Sequence, residues 1–187
     1  MNKEKHNELT LVWEGDVSDT TGAMEVLSAL QPHTNLTKLV IHSYAGLNFP
    51  HRFGDSSFSK MVSIYLSGNE YCLFLSPLGQ LPSLQELVIE SLHRVEEIDY
   101  FLRLEMLYLE GCQNLESLTF TYESSITLQS LIIADCKNLR SLPEQMCRLL
   151  PSLSYTRMYN CPEIEAFSKG GLPLNLSRLE IWNCSKI

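Results

Sequence analysis

Six cysteines and five histidines are the groups with which this chain of 187 residues could do chemistry. A structural zinc site would need cysteines paired at Cys-x-x-Cys spacing, and the sequence has no such pair. Nucleophilic catalysis would need a nucleophile, a base and an orienting acid brought together. His6, His33, His42, His51 and His93 instead fall in separate segments, and none can be placed beside such a set. No Gly-x-x-x-x-Gly-Lys-Ser/Thr loop is present to cradle a nucleotide phosphate. The expectation is a chain without catalytic residues, cofactor or metal.

Four of the cysteines follow a different rule. Cys112, Cys136, Cys161 and Cys184 stand 24, 25 and 23 residues apart, and Asn69 belongs to the same series. Thiols so placed in neighbouring units would point the same way, which is poor geometry for a disulfide, and are expected to pack as small hydrophobes with a weak donor. Cys72 and Cys147 lie off this column.

The elements that position them form a repeat. Leu36-Thr-Lys-Leu39-Val-Ile41 recurs as Met61-Val-Ser-Ile64-Tyr-Leu66, Leu84-Gln-Glu-Leu87-Val-Ile89 and Leu104-Glu-Met-Leu107-Tyr-Leu109. It continues as Leu128-Gln-Ser-Leu131-Ile-Ile133, a degraded Leu153-Ser-Tyr-Thr156-Arg-Met158, and Leu176-Ser-Arg-Leu179-Glu-Ile181. The period, 20 to 25 residues between equivalent positions, lies in the leucine-rich-repeat range of roughly 20–29. Alternate side chains of a strand face opposite ways, so Leu39 and Ile41 turn inward while Lys38, Val40 and His42 turn out. One such strand buries too little to stand alone; stacked in parallel, seven make a continuous apolar column. Behind each strand, Cys112-x-x-Leu115-x-x-Leu118, Cys136-x-x-Leu139-x-x-Leu142 and Cys161-x-x-Ile164-x-x-Phe167 line the return path.

The fold expected is an α/β solenoid, a leucine-rich-repeat horseshoe with a parallel concave sheet and a mostly irregular convex side. Residues 1–187 read as one domain: an irregular N-terminal unit over 1–34, then about seven repeats over 35–187. In the first unit Leu9-Thr-Leu11-Val-Trp13 alternates as a strand, and Gly22–Leu30 reads as a helix burying Met24, Val26, Leu27 and Leu30. Pro143 is placed to open a short turn with Met146, Leu149 and Leu150 inward. Thr156 puts a hydroxyl at a core position.

The net charge of −8 disfavours a nucleic-acid partner, which would need a basic face. The charged first residues are unlike a signal peptide, and no run approaches the roughly 18 apolar residues of a membrane span. A cytoplasmic or nuclear setting is expected. The glycosylation-type triplets at Asn35, Asn175 and Asn183 carry little weight beside this, because such triplets arise often by chance.

Repeat proteins work chiefly through the concave sheet. Its central outward column reads Val40, Tyr65, Val88, Tyr108, Ile132, Arg157, and its neighbour includes His42, Glu90, Glu110, Tyr159 and Trp182. An apolar stripe from Val40 to Ile132, bordered by Glu90 and Glu110, has the composition of an interaction surface. Strand propensity alone would also favour β-branched and aromatic residues there.

The stretch Leu75-Ser-Pro-Leu-Gly-Gln-Leu-Pro-Ser-Leu-Gln-Glu-Leu-Val-Ile89 resembles the leucine-rich-repeat region of plant nucleotide-binding disease-resistance proteins of the coiled-coil class. Val26-Leu-Ser-Ala-Leu-Gln-Pro-His33, Gly46-Leu-Asn-Phe-Pro50 and Leu11-Val-Trp13 are similar to segments of the same family. The resemblance implies a recognition module, with a pathogen effector, a guarded host protein or the receptor's own nucleotide-binding domain as partner. It also implies a fragment or truncated relative. The alternative class is a leucine-rich-repeat scaffold or ubiquitin-ligase adaptor, for which no docking motif is seen. At the ends, the charged lead Lys3–His6 and the first helix would cover the first layer. The strand at Leu179–Ile181 would be an uncapped edge open to self-association.

Overall fold

The computed structural model describes residues 7–14, 20–30, 32–75, 78–96, 98, 103–118, 120, 127–165 and 170–187. The lead Lys3–His6, Phe167 and the Ser76-Pro77 pair lie outside them. Eight strands form one sheet in chain order: β1 (Glu8–Val12), β2 (Lys38–His42), β3 (Ser63–Ser67), β4 (Glu86–Glu90), β5 (Met106–Glu110), β6 (Ser130–Ala134), β7 (Tyr155–Tyr159) and β8 (Arg178–Trp182). Every pairing is parallel. The register aligns Leu39, Ile64, Leu87, Leu107, Leu131, Thr156 and Leu179, the positions the repeat singles out, and adds Leu9 of β1 at their head.

The register is held by the inward side chains. Leu87, Ile89, Leu107, Leu109, Leu131 and Ile133 are at most 1% exposed, and each such side chain contributes about 1.5–3 kcal/mol against the ordering of its strand. A slip of one residue would turn this whole set to solvent. Leu115, Leu118, Leu139, Leu142 and Ile164 are buried behind the strands, as the tail pattern expects. β8 has a neighbour on one side only among the described residues, and Leu179 there is 37% exposed.

A second column runs at the strand ends. The residue after each of β2 to β8 has φ between 52° and 65°: Ser43, Gly68, Ser91, Gly111, Asp135, Asn160 and Asn183. This left-handed turn aims the N–H back into the ladder, so that Ser43 donates to Ser67 at 2.8 Å and Gly111 to Ala134 at 2.9 Å. Asp135 to Tyr159 and Asn160 to Trp182 repeat the bond, each at 2.9 Å. Glycine and short polar residues are the types that tolerate this region, and the sequence places only those there. The same turn carries the next residue inward. The resulting column is Tyr44, Asn69, Leu92, Cys112, Cys136, Cys161 and Cys184, all buried.

The convex side is built from short pieces. Helix α1 (Thr20–Ala29) joins β1 to β2 and buries Ala23 and Leu27, with Met24 and Leu30 partly covered. Val26, expected inward, is 54% exposed: it sits about 100° around the helix from Leu27, while Ala23, one turn earlier, takes the buried place. Helix α2 (Met146–Leu149) buries Met146 and Leu149, and Leu150 just beyond it is wholly covered. A turn at Glu144 and Gln145 follows Pro143 as expected, and the helix opens after Gln145, whose φ is 56°. Under the first repeats an aromatic cluster packs together: Trp13 meets Tyr44 edge-on at 5.0 Å and Tyr44 meets Phe49 at 5.1 Å. Gly46 must be glycine, because a Cβ there would lie 2.2 Å from the Tyr44 hydroxyl.

Candidate protein-binding surface

The sheet's outward face brings the expected residues together. Val40, Tyr65, Val88, Tyr108 and Ile132 are register partners on β2 to β6, and each is half-buried. Neighbouring strands lie about 4.8 Å apart, so the five span roughly 20 Å. Beyond them the column turns charged. Arg157 donates to Glu180 at 2.6 Å, Arg178 pairs with the same carboxylate, and both guanidiniums lie over the Tyr155 ring.

The neighbouring column begins with His42, whose Nδ1 is 3.3 Å from Ser67 Oγ and whose ring is 5.6 Å from that of Tyr65. Next come Glu90 and Glu110, then Ala134, and finally Tyr159 and Trp182, which are 43% and 61% exposed. The two tyrosines of the central column join it to the acidic one. Tyr65 donates its hydroxyl to Glu90 Oε2 on the next strand, and Tyr108 donates to Glu110 Oε2. Burial, then these hydrogen bonds and the carboxylate charges, push the Tyr65 phenol up to about 12 and Tyr108 up as well. Both remain neutral donors at physiological pH. Sequence reasoning missed this pairing: spacing brings a tyrosine within reach of a glutamate but does not say that the two bond.

The thiol column is built for packing. All six cysteines are free. Cys112, Cys136, Cys161 and Cys184 each donate to the carbonyl two residues earlier, at 3.7, 3.4, 3.3 and 3.4 Å. Burial pushes the Cys161 thiol up to about 12, and a hydrogen bond with Cys112, then burial, raises Cys136. Thiols so protonated are poor nucleophiles. Cys72 occupies the place that Leu115 and Leu139 hold in later repeats; it is fully buried and raised to about 12 by burial. Cys147, on α2, donates to Gly170 O at 2.9 Å.

The four described histidines stay apart: His33 follows α1, His42 ends β2, His51 opens a 3-10 turn and His93 follows β4, with Nδ1 2.8 Å from Gly111 O. Among the described residues no three His, Cys, Asp or Glu side chains gather as metal ligands, and no helix is long and apolar enough to cross a membrane.

Residues 1–92 match the family of R13L1/DRL21 leucine-rich repeats. The chain is 30% identical over 194 residues to RPP13-like disease resistance protein 1 of Arabidopsis thaliana, covering 98% of this chain and 18% of that protein. It is 36% identical over 168 residues to another disease resistance protein of Arabidopsis thaliana, covering 78% of this chain and 11% of the relative. Against disease resistance protein RGA2 of Solanum bulbocastanum the identity is 28% over 179 residues, covering 76% and 18%. The chain thus spans less than a fifth of each relative. No solved structure matches it.

Proposed function

The chain belongs to the leucine-rich-repeat family of plant disease-resistance proteins, and from that membership we propose that its outward sheet face is the recognition surface of an intracellular plant immune receptor. One observation carries the reading. Five apolar or aromatic side chains, Val40 to Ile132, lie in register across five strands and are left half-exposed, where packing does not require them. Contiguous apolar area beside charge favours association with another protein. The partner is a pathogen effector, a host protein that an effector alters, or the receptor's own nucleotide-binding domain. The chain acts by binding and carries no reaction.

Substitutions at the two ends of the stripe test this. Val40→Asp and Ile132→Asp chains are compared with the parent for co-precipitation of candidate effectors and of a related receptor's nucleotide-binding domain. Circular dichroism is recorded in parallel. The expected result is an unchanged spectrum with lost co-precipitation. Binding that survives both substitutions places the working surface elsewhere.

A further inference from the structure

At the middle of the sheet two like charges stand side by side. Glu90 and Glu110 are register partners at the last positions of β4 and β5, so their side chains leave the same face with strands about 4.8 Å apart. Like charges directly opposite on adjacent strands repel. On β8 of the same face Glu180 has both Arg157 and Arg178. Among the described residues neither Glu90 nor Glu110 has an ion-pair partner. Each takes a phenol instead, on Oε2. A phenol donates a hydrogen bond but brings no positive charge, and Oε1 of each carboxylate is left without a partner among the described residues.

The surroundings have a definite shape. Val88 lies in the central column between Tyr65 and Tyr108, a low apolar floor between two rings fixed by their bonds to the glutamates. On one side Ala134 follows Glu110 in the outer column, and its small side chain leaves the approach open. On the other stand Ser67 and His42, both polar.

Building on the recognition reading above, we propose that this spot receives an arginine from a basic loop of the partner protein. The guanidinium would bridge the two Oε1 atoms, and its stem would lie on Val88 between the rings of Tyr65 and Tyr108. A planar, two-pronged donor matches two carboxylates better than an ammonium does. Aromatic rings flanking a cation add to the attraction. The protein's net charge of −8 steers a basic partner toward the face.

The test uses the full chain with labelled tyrosine rings, followed by NMR. It is titrated with three short peptides of one length bearing two arginines, two lysines or two glutamates, and with a neutral apolar peptide. The arginine peptide should shift the Tyr65 and Tyr108 signals, the lysine peptide less so, and the glutamate peptide not at all. Glu90→Gln/Glu110→Gln, which relieves the repulsion and so should fold at least as well, should weaken the arginine peptide by about tenfold or more. Undiminished binding to that variant overturns the proposal. So do shifts confined to Tyr155 and Tyr159, or no shift at all. If the apolar peptide alone binds, shifting signals along the stripe, the arginine site falls while the recognition surface stands.

Discussion

Asn69 reaches back one repeat and accepts the backbone N–H of Tyr44 on its side-chain oxygen, at 2.8 Å. Both residues are fully buried, so no water can replace that bond. In later repeats a buried cysteine holds the equivalent place. Asn69→Ala should therefore cost about 1–3 kcal/mol, the penalty of a buried unsatisfied donor. Asn69→Asp, which keeps an acceptor, should be measurably less harmful if the new carboxyl is protonated below neutrality. Urea midpoints of the two variants at pH 5 give the ranking; equal loss would mean that shape rather than the hydrogen bond matters.

The strand-end column makes a second, sharper contrast. Gly111 and Ser91 hold the same left-handed turn, at φ of 65° and 57°. A Cβ at 111 would sit 3.4 Å from Ser91 Oγ, tight but not closed. Backbone conformation therefore decides, and Gly111→Ala should destabilise by about 1–2 kcal/mol. Ser91→Gly removes a side chain from the same conformation and should be close to neutral or slightly stabilising. Opposite signs in chemical melts support the assignment, and a destabilised Ser91→Gly would count against it.

The sheet is legible because its inward positions, Leu39, Leu107 and Leu131 among them, obey a strict period and one residue of slip is so costly. The turn is less so. Its residues, Ser43, Gly68, Ser91, Gly111, Asp135, Asn160 and Asn183, share a backbone conformation and not a side-chain type, so no single letter repeats. Val26 reads as inward because an apolar residue beside Leu27 looks like part of a broad face, whereas only a narrow stripe of α1, Ala23 and Leu27, is buried. On the outward face, the columns follow from the register alone. The hydrogen bonds from Tyr65 and Tyr108 to the glutamates depend on rotamers, which spacing does not encode.

Two core positions that are partners in register should respond in opposite ways. Leu131 is fully buried and Thr156, beside it on β7, is 1% exposed with its hydroxyl unpartnered. Leu131→Ala removes packed methyl groups and should cost about 2–5 kcal/mol, as should Leu107→Ala. Thr156→Val keeps the volume and deletes an unsatisfied hydroxyl, so it should be neutral or stabilising. Unchanged midpoints for both alanine variants would sink the register.

In the folded chain Tyr65 is raised to about 12 from an ordinary value of 10, by burial and then by its bond to Glu90. In the unfolded chain the phenol returns to about 10. Below pH 10 it is protonated in both states and its contribution to stability is whole. Between 10 and 12 only the unfolded state loses the proton, so stability falls with rising pH through that window. Tyr44, raised to about 12 by burial, adds a parallel loss, so Tyr65→Phe should reduce the alkaline slope without abolishing it. Ultraviolet difference titration should show one fewer late-ionising phenol in the variant, and urea melts at pH 8, 10 and 11 should give converging midpoints for the two proteins. A slope identical to that of the parent would mean that Tyr65 ionises freely and its bond to Glu90 does not persist in solution.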